Sequence, residues 1–162
     1  MRYLSEEAKA VELKTWEATK ADYLANPPTK FHGGHGYPDP EIFAWCDTLN
    51  AIEGVCTLQS CAGHRCTKES HCAWCSENFD EDEIDHVWNG QLWLWLDEIA
   101  SLMFHKHAFE LAAHPLIEKV SVHYHIDEKE IVDIVFKGTD QLDESMMVIM
   151  QFFSGIKVSS CK

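Results

Sequence analysis

Basic residues are scarce in this chain. Thirteen Lys and Arg stand against 27 Asp and Glu, a formal net charge of −14 over 162 residues. Lys14, Lys20, Lys30, Arg65, Lys68, Lys106, Lys119 and Lys129 are dispersed, and no basic run occurs. Nonspecific nucleic-acid binding needs Lys and Arg to neutralise phosphates, so a nucleic-acid partner is disfavoured. An acidic, solubilising surface is the plain reading of the charge. Long apolar runs are missing too. No stretch approaches the ~18 residues of a membrane span, so no membrane partner is expected. The charged stretch Met1 to Lys14 is helix-like rather than an apolar leader, which leads to the expectation of a cytoplasmic protein. With no internal repeat and no linker, residues 1–162 read as a single domain.

What is present suits a packed core. Hydrophobic residues make up 46% of the chain, with six Trp and eight Phe. Ser5, followed by Glu6 and Glu7, predicts a helix start, and Pro27-Pro28 predicts its end after about Leu24. Leu13, Trp16 and Leu24 are its expected core contacts. Asp39-Pro40-Glu41 predicts a second start. Ile42, Trp45, Cys46 and Leu49 then form one apolar stripe at i, i+3, i+4 and i+7. Val55 to Ser60 reads as a strand. Residues 61–85 show no period and read as a long Cys- and His-rich loop. Gly90 to Leu96 alternates Trp and Leu, which predicts a strand covered on both faces. Asp97 caps a helix to about Ala113, with Ile99, Leu102, Met103 and Phe109 expected inward. Val120 to Ile126 and Ile131 to Lys137 read as a hairpin turning at Asp127 to Glu130. A last helix is expected from about Asp143, with Gly155 just past its end. This order predicts an α+β fold of about four mostly antiparallel strands and about four helices.

Four constellations carry candidate chemistry. At the end of the first strand stand Ser60, Cys61, Ala62, Gly63 and His64. Ala62 and Gly63 keep that turn slim, so a ligand can approach the main chain. Cys61 is a candidate nucleophile, and His64 a candidate base or ligand contact, if the protein is an enzyme. An inert tight turn is the alternative. In the loop, Cys72-Ala73-Trp74-Cys75 is a pair able to grip zinc. Cys66 and His71 complete the preferred set, with His64 or Cys61 open as the fourth ligand, and with reduced thiols as the alternative. Seven Cys without a secretory leader point to ligands or thiols rather than a disulfide framework. Ser121, His123 and His125 share one strand face, which either meets a ligand or metal or is simply a solvent-facing strand surface. Trp93 and Trp95 offer faces that stack a ring, or simply pack the core. Gly33-Gly34-His35-Gly36 matches no phosphate-loop or dinucleotide fingerprint and reads as a mobile loop.

Trp16-Glu17-Ala18-Thr19-Lys20, Asp39, Leu49-Asn50 and Gly54-Val55-Cys56-Thr57-Leu58-Gln59-Ser60-Cys61-Ala62-Gly63-His64 together resemble the wybutosine-synthesis tRNA methyltransferase family. The resemblance covers roughly the first 40% of the chain. His64 stands where that family has Arg, and Gln59 where it has Ser. Ser-Cys-x-Gly-His turns are also similar to those of small uncharacterised phage and prokaryotic proteins. The resemblance implies an α+β fold with its site around Ser60, Cys61, Gly63 and His64. For the tRNA-modifying members it implies S-adenosylmethionine as methyl donor and a modified guanosine as substrate.

The leading expectation is a domain that binds a nucleotide-like or other small ligand at the Ser60–His64 turn. Ser60, Ala62, Gly63, His64, Trp93, His123 and His125 are its expected contacts. Zinc on Cys66, Cys72, Cys75 and His71 pins the adjacent loop. A methyltransferase acting on tRNA or a nucleoside is the second expectation. A viral or prokaryotic protein-interaction module, presenting the acidic run Asp80 to Glu83, is the third.

Overall fold

The computed structural model describes residues 2–26, 40–69 and 73–160, and two of its helices begin at the predicted caps, Ser5 and Asp97. Helix α1 (Glu6–Ala25) begins where the Ser5 hydroxyl accepts from the Ala8 amide at 3.2 Å. A 3-10 turn, Pro40–Ile42, leads into α2 (Phe43–Asn50). Ile42, Cys46 and Leu49 are buried as the stripe predicts. Four elements follow: β1 (Val55–Cys61), β2 (His64–Thr67), α3 (Ala73–Asn78) and β3 (Asp85–Trp88). The second half of the chain forms β4 (Gly90–Leu96), α4 (Glu98–Ala112), β5 (Ile117–Tyr124), β6 (Glu130–Phe136) and α5 (Leu142–Ser160). Asp97 caps α4, accepting from the Ala100 amide at 2.7 Å.

Strands β1, β4, β6 and β5 form, in that order, one antiparallel sheet, and β2 with β3 forms a separate two-stranded one. Strand alternation sends Leu92, Leu94 and Leu96 to one face of the large sheet, with Val132, Ile134 and Phe136 beside them. Helices α2, α4 and α5 cover this face with Cys46, Leu49, Phe104, Leu111, Met146, Ile149 and Phe153. On the opposite face, Leu4 and Ala8 pack over Cys56, Trp95 and Ile131 at one end. Further along α1, Trp16 packs against the main core as expected, and polar and ring-edge contacts add to it. Trp16 Nε1 donates to Asp47 at 2.6 Å, Lys20 pairs with the same carboxylate at 2.8 Å, and Trp16 and Tyr23 meet Phe43 edge-on.

The α+β fold and the four strands of the large sheet stand as predicted. Several finer expectations are corrected. The segment read as a loop, 61–85, is not irregular throughout: its described residues supply β2, α3 and the start of β3, whose lengths of four to six residues are too short to reveal a period. Leu24 is 73% exposed, because Trp16, Lys20 and Tyr23 form the side of α1 that meets Phe43 and Asp47 of α2. In α4, Ile99, Leu102 and Phe109 face outward, and Ala100, Ser101, Phe104 and Leu111 face inward. Both sets have helical spacing, and packing against the sheet and α5 selects the second. Helix α5 runs through Gly155, a residue tolerated inside a helix at a cost of about 1 kcal/mol. Pro27-Pro28 and the Gly33–Gly36 loop lie outside the described residues. No helix among the described residues is long and apolar enough to cross a membrane.

One polar cluster ties the layers together. Glu130, only 2% exposed, opens β6 on the helix-covered side. It accepts from Ser101 Oγ at 2.5 Å, His105 Nε2 at 2.8 Å and Arg2 Nε at 2.8 Å, with the Tyr124 hydroxyl at 3.3 Å. The chain's beginning, α4, β5 and β6 thus meet on one carboxylate. Burial pushes the Glu130 carboxyl up. The hydrogen bonds from Ser101, His105 and Arg2, with the Arg2 charge, outweigh burial and bring it down to about 2, from 4.5. A depressed folded-state value means that this cluster stabilises the fold above about pH 4.5 and loses its contribution as pH falls toward 2. The gap corresponds to about 3 kcal/mol. Glu130→Gln is expected to lose about that much stability at neutral pH and to flatten the acid limb of the stability curve. Urea denaturation across the acid range checks this; equal acid sensitivity in variant and parent would place the effect elsewhere.

Candidate functional site

The Ser60–His64 turn is shaped by its own neighbours. Ser60 sits opposite Leu92, so its side chain faces the helices, and it is 8% exposed. There it hydrogen-bonds the Cys46 thiol, which burial pushes up to about 11, the Ser60 bond offsetting part of the rise. Ala62 belongs to the core at 3% exposure, and its carbonyl accepts from the Thr139 amide at 3.2 Å. Gly63 has φ +76°, and a Cβ there would meet the Trp88 carbonyl at 2.5 Å and the Gly90 amide at 2.9 Å. A Cβ on Gly138 would run into the Ala62 carbonyl and Gly63 Cα. The slimness of the turn is therefore taken up by the protein's own backbone, where the ends of β1, β3 and β6 cross. His64 opens β2 opposite Trp88, with the rings 6.4 Å apart.

Cys61 behaves differently. It lies opposite Gln91, on the sheet face away from the helix-covered core, and is half-buried. The Gly63 amide donates to its Sγ at 3.4 Å. The same face carries, along β4, Gln91 and Trp93; along β6, Asp133; and along β5, Ser121 and His123. The register sets Trp93 directly across from Asp133, and Asp133 directly across from Ser121. Gln91 Nε2 donates to Asp133 Oδ1 at 2.9 Å. The Trp93 and His123 rings meet edge-on at 5.0 Å. Trp93 Nε1 is buried with no hydrogen-bond partner among the described residues. Beyond Leu4 and Ala8 at one end, this face takes no apolar cover from the described residues.

Two of the expected ring contacts, Trp93 and His123, are thus brought together. His125 is not part of them. The strand ends at Tyr124, and His125 turns toward Asp127, Nδ1 to Oδ1 3.1 Å. Ser60 and Ala62 point into the core rather than at this face. Gln91 and Asp133 were missed by sequence reading. Their signal was a lone carboxylate within Ile131-Val132-Asp133-Ile134-Val135-Phe136, a polar break in an otherwise apolar strand.

The cysteine segment forms a small unit of its own. Cys66 and Cys75, both fully buried, share a cluster with Ile84, Phe79 and Trp88. His86 lies opposite Cys66, with its ring 4.3 Å from Phe79. His71 and Cys72 lie outside the described residues. Among the described residues no group of three or more His, Cys, Asp or Glu is placed to hold a metal.

No family model, curated protein or solved structure matches the chain.

The crossing of three chain segments at Gly63 and Gly138 generates a prediction. Gly138→Ala is expected to lose about 1–3 kcal/mol, because backbone atoms must shift to admit the new methyl. Cys61→Ala, on the half-buried face, is expected to change stability by less than about 1 kcal/mol. Chemical denaturation of both variants checks the contrast, and a Gly138→Ala protein as stable as the parent would refute the close crossing.

Proposed function

We propose that this protein binds a small planar, nucleotide-like ligand on the face of its four-stranded sheet opposite α2, α4 and α5, beside the Cys61–Gly63 turn. One observation carries the reading: Trp93 and His123, both partly exposed, stand ring edge to ring face on the sheet face opposite α2, α4 and α5. Aromatic side chains on an open antiparallel sheet are a recurrent platform for stacking bases. Each stack contributes roughly 1–3 kcal/mol. Gln91 and Ser121 supply polar contacts around the ring, and Cys61 borders it. The net charge of −14 favours a single base or nucleoside over a strand, whose phosphates would each need a cation. S-adenosylmethionine carries such a ring, so the methyltransferase reading uses the same face and adds methyl transfer to it.

The adjoining hairpin is proposed to be pinned by zinc. Two fully buried thiols, Cys66 and Cys75, sit in one cluster of a two-stranded unit with little core. Such a hairpin is marginal alone, and metal binding supplies folding free energy. The spacing Cys72-x-x-Cys75 adds Cys72, with His71 as the remaining ligand.

Calorimetric titration with adenosine, guanosine and S-adenosylmethionine is expected to show binding by at least one of them. Trp93→Ala is expected to weaken that binding roughly 10- to 100-fold. Absence of binding by all three, or affinity unchanged in Trp93→Ala, overturns the reading. For the hairpin, protein purified without added metal is expected to hold about one zinc per chain, lost in Cys75→Ser. Elemental analysis reads this, and less than about 0.2 zinc per chain removes the zinc assignment.

A further inference from the structure

Asp133 occupies the middle of an interior strand, with β4 on one side and β5 on the other. It is 8% exposed. Among the described residues its one hydrogen bond comes from the neutral Gln91 amide, and no Lys or Arg pairs with it. Lys119 shares the face one row along β5, yet it forms no ion pair among the described residues. A buried carboxylate is costly unless it is paired or well hydrogen-bonded. Glu130, three residues earlier on the same strand, shows how this chain satisfies one when the fold needs it, with an Arg and three further donors. Asp133 receives no such treatment, and it lies beside the ring of Trp93.

We infer that the sheet face selects a positively charged planar ring, with Asp133 as the residue that recognises the charge. The inference rests on the sheet-face reading above and adds the sign of the ligand. Three features act in the same direction. The second oxygen of Asp133 is available to accept from, or lie against, a cationic ring edge. Directly cross-strand side chains stand about 5 Å apart, so a ring lying on Trp93 brings its edge to Asp133. The Trp93 face itself attracts a cation through its quadrupole. The chain's net charge of −14 draws cations toward the surface and repels phosphorylated ligands. The ligand class is an N-alkylated or otherwise protonated nitrogen heterocycle, free of phosphate.

Matched nucleosides test the charge alone. 1-Methyladenosine and 3-methylcytidine are cations at neutral pH, and adenosine and cytidine are their neutral parents. Calorimetric titration of the full chain is expected to show each cation binding at least about tenfold tighter than its parent. Asp133→Asn, which keeps the shape of the side chain, is expected to reduce that preference to less than about threefold. Wild-type protein provides an independent reading: raising salt should narrow the preference, as screening requires. Equal binding of cation and parent by the wild-type protein, or a preference unaltered by both salt and Asp133→Asn, overturns the inference and leaves the sheet-face reading standing. Absence of binding by all four nucleosides overturns the inference, and the sheet-face reading falls with it where guanosine and S-adenosylmethionine also fail to bind.

Discussion

An antiparallel sheet has two faces, and each residue of a strand can serve only one of them. In this protein α2, α4 and α5 all pack on the same face of β1-β4-β6-β5. That choice sets the rest. The packed face takes Leu92, Leu94, Leu96, Val132, Ile134 and Phe136, and it becomes the core. The opposite face keeps Cys61, Gln91, Trp93, Ser121, His123 and Asp133, and among the described residues Leu4 and Ala8 give it apolar cover at one end. Neither surface would exist without the other, because the alternation that buries the leucines of β4 also lifts its glutamine and tryptophans to the far side.

Strand β6 shows the same division in two carboxylates. Glu130 and Asp133 are three residues apart and so lie on opposite faces. Both are almost fully buried. Glu130 is saturated by donors from the chain's beginning, α4 and β5, and its charge is held far below the usual carboxylate range. Its role is to lock layers together. Asp133 has a single neutral donor. The fold thus gives four side-chain partners to one carboxylate and one to the other.

Much of the fold was legible along the chain. Ser5 and Asp97 are short polar acceptors placed just before helical runs, and both cap as predicted. The strand from Gly90 to Leu96 and the hairpin of β5 and β6 follow from period-two alternation over seven or eight residues. The same reasoning failed where the signal was ambiguous or too short. Helix α4 carries two apolar sets, Ile99-Leu102-Phe109 and Ala100-Phe104-Leu111, and periodicity cannot choose between them. Strands β2 and β3, four residues each, fall below the length at which a period shows. At the site, the aromatic pair and the strand end at Cys61 were visible, but the turn itself was read too literally. Its glycine and alanine suggested room for a ligand, and the room is occupied by Gly90 and Gly138, which are distant in sequence.

The sequence by itself determined the local features: caps, strand alternation, the α+β class, the acidic balance that disfavours polyanions, and the identity of Trp93 and His123 as candidate ring contacts. These depend on neighbours within a turn or two of the chain. Tertiary structure alone decided which apolar stripe of α4 turned inward, that Arg2 meets Glu130, that Trp93 meets His123, and that Asp133 lies beside them nearly unpaired. Those pairings join residues 30 to 128 positions apart, and no local pattern encodes them. They follow from strand order and register, which the packing of the whole sheet against its helices sets.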